Sequence, residues 1–533
     1  MNSPHVSRRQ LISALGAASA VAAAPAWAQG HSIRSGHGGH GGHSRGGPRI
    51  PAGFGELSGK VIDLTVGSGH RIVEGRRGPG IAVNGSVPGP LIRLREGQNV
   101  RINVTNTLDV DTSIHWHGLL VPFQMDGVPG ISFPGIHPRQ TFTYEFPIRQ
   151  SGTYWYHSHS GLQEQSGHYG PLIIEPAGAE PVACDRDYIL LLSDFTVHDP
   201  HFIMRRLRTG EGYFNRQQTT WTDKYPLSGK ERRMWAQMRM PATDIMDIGA
   251  PTYTFLANGR GPSEGLEYLF RPGERVRLRI INGSAQSFFN VRIPGLPMTV
   301  IAADGQNVRP VEVDEFQIGT AETYDVIVTP GSTEAYAIVA ESMDRSGMAL
   351  AHLASRPGAR AAVPALRDPP LLTMADMGMN HGPANAGGNG GHGGHDGHGG
   401  LDHGPSTASA TGAASPSAHD MAGMSMRDTA LLPPDVAIGP GLDMVSMAPV
   451  DKMDDPGLGL RDVPHRTLNY RMLSALEPNA DPREPSRLLE LHLTGNMERY
   501  MWSFDGRMYS AVSDVPIRFA WNERVRVKLV NNT

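Results

Sequence analysis

The chain has 533 residues, enough for three or four domains at about 150 residues each. Lys plus Arg total 48 and Asp plus Glu 52, a net charge of −4, which excludes the strong basic excess of a nucleic-acid binder. A single cysteine excludes an intrachain disulfide framework and any multi-thiolate zinc or iron–sulfur site, whereas 23 histidines and 23 methionines, both clustered, direct attention to metal.

The chain opens with Ser7-Arg8-Arg9-Gln10-Leu11-Ile12, an Ala-rich apolar run from Leu11 to Ala24, and Ala26-Trp27-Ala28. The run is shorter than the ~20 residues a membrane span needs. Charge, apolar run and small-x-small site in that order predict a signal peptide over residues 1–28, and the paired arginines predict the twin-arginine type, hence a periplasmic protein exported already folded. No other segment is apolar enough to span a bilayer. Residues 29–54, with His31, His37, His40 and His43 among Gly and Ser, are expected to be disordered.

From Gly55 the chain reads as short alternating β-runs punctuated by Gly, Pro and Asn, the pattern of β-sandwiches. An internal repeat divides it. Val100-Arg101-Ile102-Asn103-Val104 is echoed by Val276-Arg277-Leu278-Arg279-Ile280 and by Val525-Arg526-Val527-Lys528-Leu529. Each follows an Asx-Gly turn: Asn84-Gly85, Asn258-Gly259 and Asp505-Gly506. Three copies predict three related β-domains, at residues 55–178, 179–360 and 461–533. Residues 361–460 form a Met/His-rich linker too polar to fold alone. In the second domain, Met234, Met238, Met240 and Met246 fall in a partly helical stretch that reads as core or interface packing.

The first domain carries His115-Trp116-His117 and His157-Ser158-His159. Residues i and i+2 of a strand share a face about 7 Å apart, so each pair presents two imidazoles together, and two such strands side by side surround a volume for more than one metal ion. Imidazole suits copper, zinc, iron and nickel, so the spacing leaves the metal open.

His115-Trp116-His117-Gly118-Leu119, Met125-Asp126-Gly127-Val128-Pro129-Gly130 and Tyr154-Trp155-Tyr156-His157-Ser158-His159 resemble the first two copper-ligand motifs of multicopper oxidases. The Met/His-rich insertion and the twin-arginine signal are similar to the bacterial copper-resistance branch. The resemblance covers the chain from about Gly55. It implies three cupredoxin-like Greek-key sandwiches, and copper as cofactor. It assigns His115 to the type 2 copper and His117, His157 and His159 to the type 3 pair. It also implies Cu(I) and O2 as substrates, and other periplasmic copper-handling proteins as partners. Asp126 matches an acidic residue that assists proton delivery during O2 reduction; by itself, Asp126-Gly127 reads equally as a turn.

The family's two later motifs, His-x-x-His-x-His and His-Cys-His, supply the type 1 copper and the other half of the trinuclear cluster, and neither occurs here. The first domain runs about 70 residues past Asn106 to Pro176, so about that much of the third domain is expected to be missing. Cys184 has no flanking histidine and reads as structural. The expectation is an oxidase-lineage chain with little or no turnover and exposed sheet edges in its third domain; the alternative is a copper-binding or sequestering protein. Within the linker, Met377, Met379 and His381, then His419, Met421, Met424 and Met426, place thioethers near imidazoles and form a candidate auxiliary site for Cu(I).

Overall fold

The computed structural model describes residues 47–533 except 221, 223–225, 239, 374, 379–435, 437–438, 443–444, 447–449 and 509–515. Two β-sandwiches and a third, smaller sheet make up the described chain. In the first sandwich, Arg49–Ile50, Val61–Val73, Asn99–Asn106 and Thr141–Pro147 lie side by side, with Arg76–Val83 also paired to Val61–Val73. The facing sheet runs Glu56–Ser58, Leu91–Arg95, Tyr169–Glu175, Gly152–His157 and, at its edge, His115–His117. Alternation places Ile62, Leu64 and Val66 inward from one sheet, and Ile92, Leu172 and Ile174 meet them from the other in one core.

The second sandwich packs a six-stranded sheet containing Arg186–Phe195, Val276–Asn282 and Thr323–Val328 against a five-stranded sheet containing Ala335–Ser342 and Met348–Ala354. Pro200–Leu207 and Gly229–Met238 are the α-helices among the described residues; no described helix is long and apolar enough to cross a membrane. Asp199 caps the first of them, its carboxylate accepting the His201 N–H at 2.7 Å.

The repeat is visible as geometry. Val61–Val73 runs parallel to Asn99–Asn106, Arg186–Phe195 to Val276–Asn282, and Arg487–Asn496 to Val525–Asn531. The turn residues Asn84, Asn258 and Asp505 have φ of 48°, 48° and 51°, each followed by a glycine with positive φ. Each side chain accepts the N–H of the parallel strand: Thr65 at 2.6 Å, Leu191 at 2.7 Å and His492 at 2.9 Å. Asn and Asp tolerate this left-handed conformation and bond locally, which is why Asx-Gly recurs. The outer edge of the repeat strand differs between copies. Thr141–Pro147 and Thr323–Val328 cover it in the two sandwiches, whereas Val525–Asn531 pairs only with Arg487–Asn496 among the described residues. Leu488 and Leu529 on these two strands are exposed.

Two stretches depart from expectation. Arg49–Ile50, placed by composition in the Gly/His-rich segment, pairs in parallel with His70 and Arg71. The two ends of the linker are packed rather than loose. Glu315 and Glu341 are fully buried in the second sandwich. Arg367 donates to Glu315 Oε2 at 2.9 Å, and His465 Nε2 lies 2.6 Å from the same atom. Arg345 pairs with Glu341 and donates to the Gly459 carbonyl at 3.0 Å. Buried carboxylates need such partners, and here residues before and after the insertion supply them.

Candidate metal centre

His115–His117 is antiparallel to Gly152–His157, with His115 opposite His157, Trp116 opposite Tyr156 and His117 opposite Trp155. Alternation sends Trp116 and Tyr156 into the core, where Trp116 meets Tyr144 edge-on at 5.2 Å and Tyr156 donates to the Pro90 carbonyl at 2.8 Å. The opposite face carries the imidazoles. His157 ends its strand, and His159 lies just beyond it, exposed, its backbone N–H donating to Ser113 Oγ at 3.0 Å.

All four predicted rings come together. His115 lies 5.5 Å from His117, 5.5 Å from His157 and 4.7 Å from His159, centroid to centroid. One ring nitrogen from each of His115, His157 and His159 falls within 4.8 Å of the others. His117 enters from the side, its Nδ1 3.3 Å from His157 Nε2.

The rings are held by their outer nitrogens. His115 Nδ1 lies 2.7 Å from the Asp126 backbone carbonyl, which accepts its proton and leaves Nε2 free. The Asp126 carboxylate is partly exposed, with Oδ1 3.5 Å from the same nitrogen. The loop reaches this position because residue 127 is glycine: its φ is +79°, and a Cβ would sit 1.8 Å from the Ile114 carbonyl oxygen.

Two contributors escaped the sequence reading. Glu164 Oε2 is 2.9 Å from His157 Nδ1, the same arrangement built with a carboxylate. Trp155 lies flat against His157, at 4.1 Å and 11°, and stacks on His117 at 5.2 Å. Trp155 stands two residues before His157, a strand-face signal available in the sequence; Glu164 becomes visible only when the chain turns back after His159.

Burial, reinforced by neighbouring rings, holds His117 down to about 4 and His157 to about 3, and partial desolvation beside His157 and His115 holds the more open His159 to about 4. Burial also pushes the Glu164 carboxyl up to about 7. At neutral pH these three imidazoles are neutral with lone pairs to give, the state a metal requires. A cavity of about 340 Å³ adjoins His117, walled by Tyr154 and Trp155 from the first sandwich and by Asp304 and Glu322 from the second.

Of the auxiliary candidates, Met377 is buried against Trp235, Met238 and Ala242. Met379, His381, His419, Met421, Met424 and Met426 lie outside the described residues, as do the 1–28 segment and most of the 29–54 segment. Cys184 stands among Asp187, Glu180, Arg277 and Arg279, without an imidazole among the groups that act on its ionisation.

The family model described as multicopper oxidase matches residues 65–179, and a second model of the same description matches 186–356. The chain belongs to the multicopper oxidase family, and its fold is all-β with cupredoxin-like units. It falls in the copper-resistance branch. It is 44% identical over 502 residues to copper resistance protein A of Escherichia coli, covering 90% of this chain and 82% of that protein. Identity to copper resistance protein A of Pseudomonas syringae pv. tomato is 42% over 521 residues, with the same two coverages, 90% and 82%. The crystal structure of Fet3p, described as a multicopper oxidase that functions in iron import, overlays with a TM-score of 0.54 at 18% identity, covering 85% of this chain and 65% of that one, a likeness of fold. The protein is thus an oxidoreductase with copper as cofactor. Neutral imidazoles converging without a thiolate are a donor set that copper accepts.

Proposed function

We propose that this protein is a periplasmic copper oxidase of copper resistance, oxidising Cu(I) to Cu(II) while O2 is reduced to water. The convergence of His115, His117, His157 and His159 on one small volume carries the reading. Four cuprous ions give up four electrons, and O2 takes these with four protons to yield two waters. Bound copper supplies the electron transfer to O2. His115 would hold the type 2 ion, and His117, His157 and His159 the type 3 pair. The Asp126 carbonyl and Glu164 carboxylate fix two of these rings by their outer nitrogens, so that the inner nitrogens stay free of protons. The Asp126 carboxylate, partly exposed and beside His115, is placed to pass protons from solvent toward the reacting oxygen. Trp155 stacks on His117 and His157 and forms one wall of the site. The Met/His-rich insertion, with Met377, Met379, His381, His419, Met421, Met424 and Met426, would gather cuprous ions, and other periplasmic copper-handling proteins would deliver or receive them.

A second reading concerns the 533-residue chain taken alone: it holds copper without turnover. Cys184, the single cysteine, lacks the imidazoles that an electron-accepting copper–thiolate site requires. Copper analysis and O2 uptake with Cu(I) on the purified chain separate the two. Several coppers per chain with cuprous-dependent uptake support the oxidase; bound copper without uptake supports the second reading. Equal copper content in the wild type and a His115→Ala, His157→Ala double variant would sink both.

A further inference from the structure

The segment after His159 carries three consecutive long side chains with carbonyl oxygens, Gln163-Glu164-Gln165. The chain turns there: the Ser166 N–H donates to the Gln163 backbone carbonyl at 3.1 Å and the Gly167 N–H to that of Glu164 at 2.9 Å. The three side chains part in three directions. Glu164 meets His157.

Gln163 is buried and spends both ends of its carboxamide within the first sandwich. Its Oε1 accepts the hydroxyls of Thr112 at 2.7 Å and Ser158 at 3.0 Å, and its Nε2 donates to the Asp111 carbonyl at 2.8 Å. Gln165 spends both ends on the second sandwich. Its Nε2 donates to Asp194 Oδ1 at 2.9 Å, and its Oε1 accepts the Tyr253 hydroxyl at 2.7 Å. A carboxylate accepts and cannot donate, so the amide nitrogen faces Asp194 and the oxygen faces Tyr253. Both anchors are themselves fixed. Asp194 and Tyr253 are each 2% exposed, Asp194 Oδ2 accepts the Ser287 hydroxyl at 2.7 Å, and Tyr253 belongs to the core of the second sandwich.

Glu164 thus stands between two clamped neighbours, one tied to each sandwich. A carboxylate that orients a metal-binding imidazole works only if it is itself held in place. We propose that Gln165 is a positioning residue: by tying the turn to Asp194 and Tyr253, it holds Glu164 against His157. The second sandwich, which supplies none of the four imidazoles, thereby sets the tautomer and aim of one of them. The consequence for copper rests on His157 as a ligand; the state of the ring is read without copper.

Gln165→Leu removes both ties. In the copper-free chain, nitrogen NMR should show the His157 proton, fixed on Nδ1 in the wild type, shared between both ring nitrogens. In chelator competition, the folded variant should bind copper about tenfold more weakly. Gln165→Glu sets two carboxylates face to face and should do the same, whereas adding Asp194→Asn to it exchanges donor and acceptor and should restore both readings. A contact that serves the fold alone would lower the melting temperature of Gln165→Leu and leave the tautomer and copper affinity of the folded protein unchanged. That result would overturn the proposal, as would failure of the exchanged pair to recover. Should Gln165→Leu not fold, Tyr253→Phe, which removes one tie and keeps the other, must still loosen the His157 proton, or the proposal falls. A loosened proton with wild-type copper affinity would uphold the tie and overturn His157 as a ligand.

Discussion

Glu164→Ala separates a role in orienting a ligand from a role in holding the fold. In the wild type, Glu164 Oε2 accepts the His157 Nδ1 proton at 2.9 Å, which selects the tautomer whose Nε2 faces His117. Losing a carboxylate that orients a metal-binding imidazole costs about 10- to 100-fold in metal affinity, or about 1.4–2.7 kcal/mol. The effect on the copper-free fold runs the other way. The Glu164 carboxyl is raised from 4.5 to about 7, so its contribution is most favourable below pH 4.5 and is lost as pH rises through 7. That shift caps the penalty near 3 kcal/mol, and Glu164→Ala removes it. Copper-free Glu164→Ala should therefore be no less stable than wild type at pH 8, yet bind copper 10- to 100-fold more weakly in chelator competition. Nitrogen NMR should show the His157 proton shared between both ring positions in the variant. Unchanged copper affinity together with an unchanged tautomer would refute this account.

Three further outcomes are expected. The His117, His157 and His159 rings titrate near 6.5 when unfolded and at about 3–4 when folded, so the stability they contribute is complete above pH 6.5 and lost as pH falls toward 4; urea titrations of the copper-free chain at pH 7.5 and 5 should show it, and equal midpoints would contradict it. Gly127→Ala should cost about 1–3 kcal/mol for the positive φ alone, and should reduce copper content by displacing the Asp126 carbonyl from His115; wild-type copper content would tell against that contact. Leu529→Lys, on an exposed strand, should change stability by less than about 0.5 kcal/mol while lowering light scattering at high protein concentration; unaltered scattering would mean that this face is not what associates.

Local chemistry was legible in the sequence. The His-x-His pairs and the Asx-Gly turns with their following Val-Arg-Val strands depend on neighbours two to four residues away, and the structure builds them the same way in each copy. Contacts set by tertiary geometry were not legible. Glu164 meets His157 because the chain reverses after His159, and the turn residues there do not announce which carboxylate will face inward. The composition of residues 361–460 does not reveal that Arg367 is held, because its partner Glu315 lies far away in sequence and is fully buried.

Arg367 and His465 grip opposite ends of the insertion and close on one oxygen of Glu315. Residues 367 and 465 are thereby held at one carboxylate, with the Gly459 carbonyl fastened to Arg345 nearby. For a chain held at both ends, each doubling of the length between them adds about 0.6 kcal/mol of closure cost.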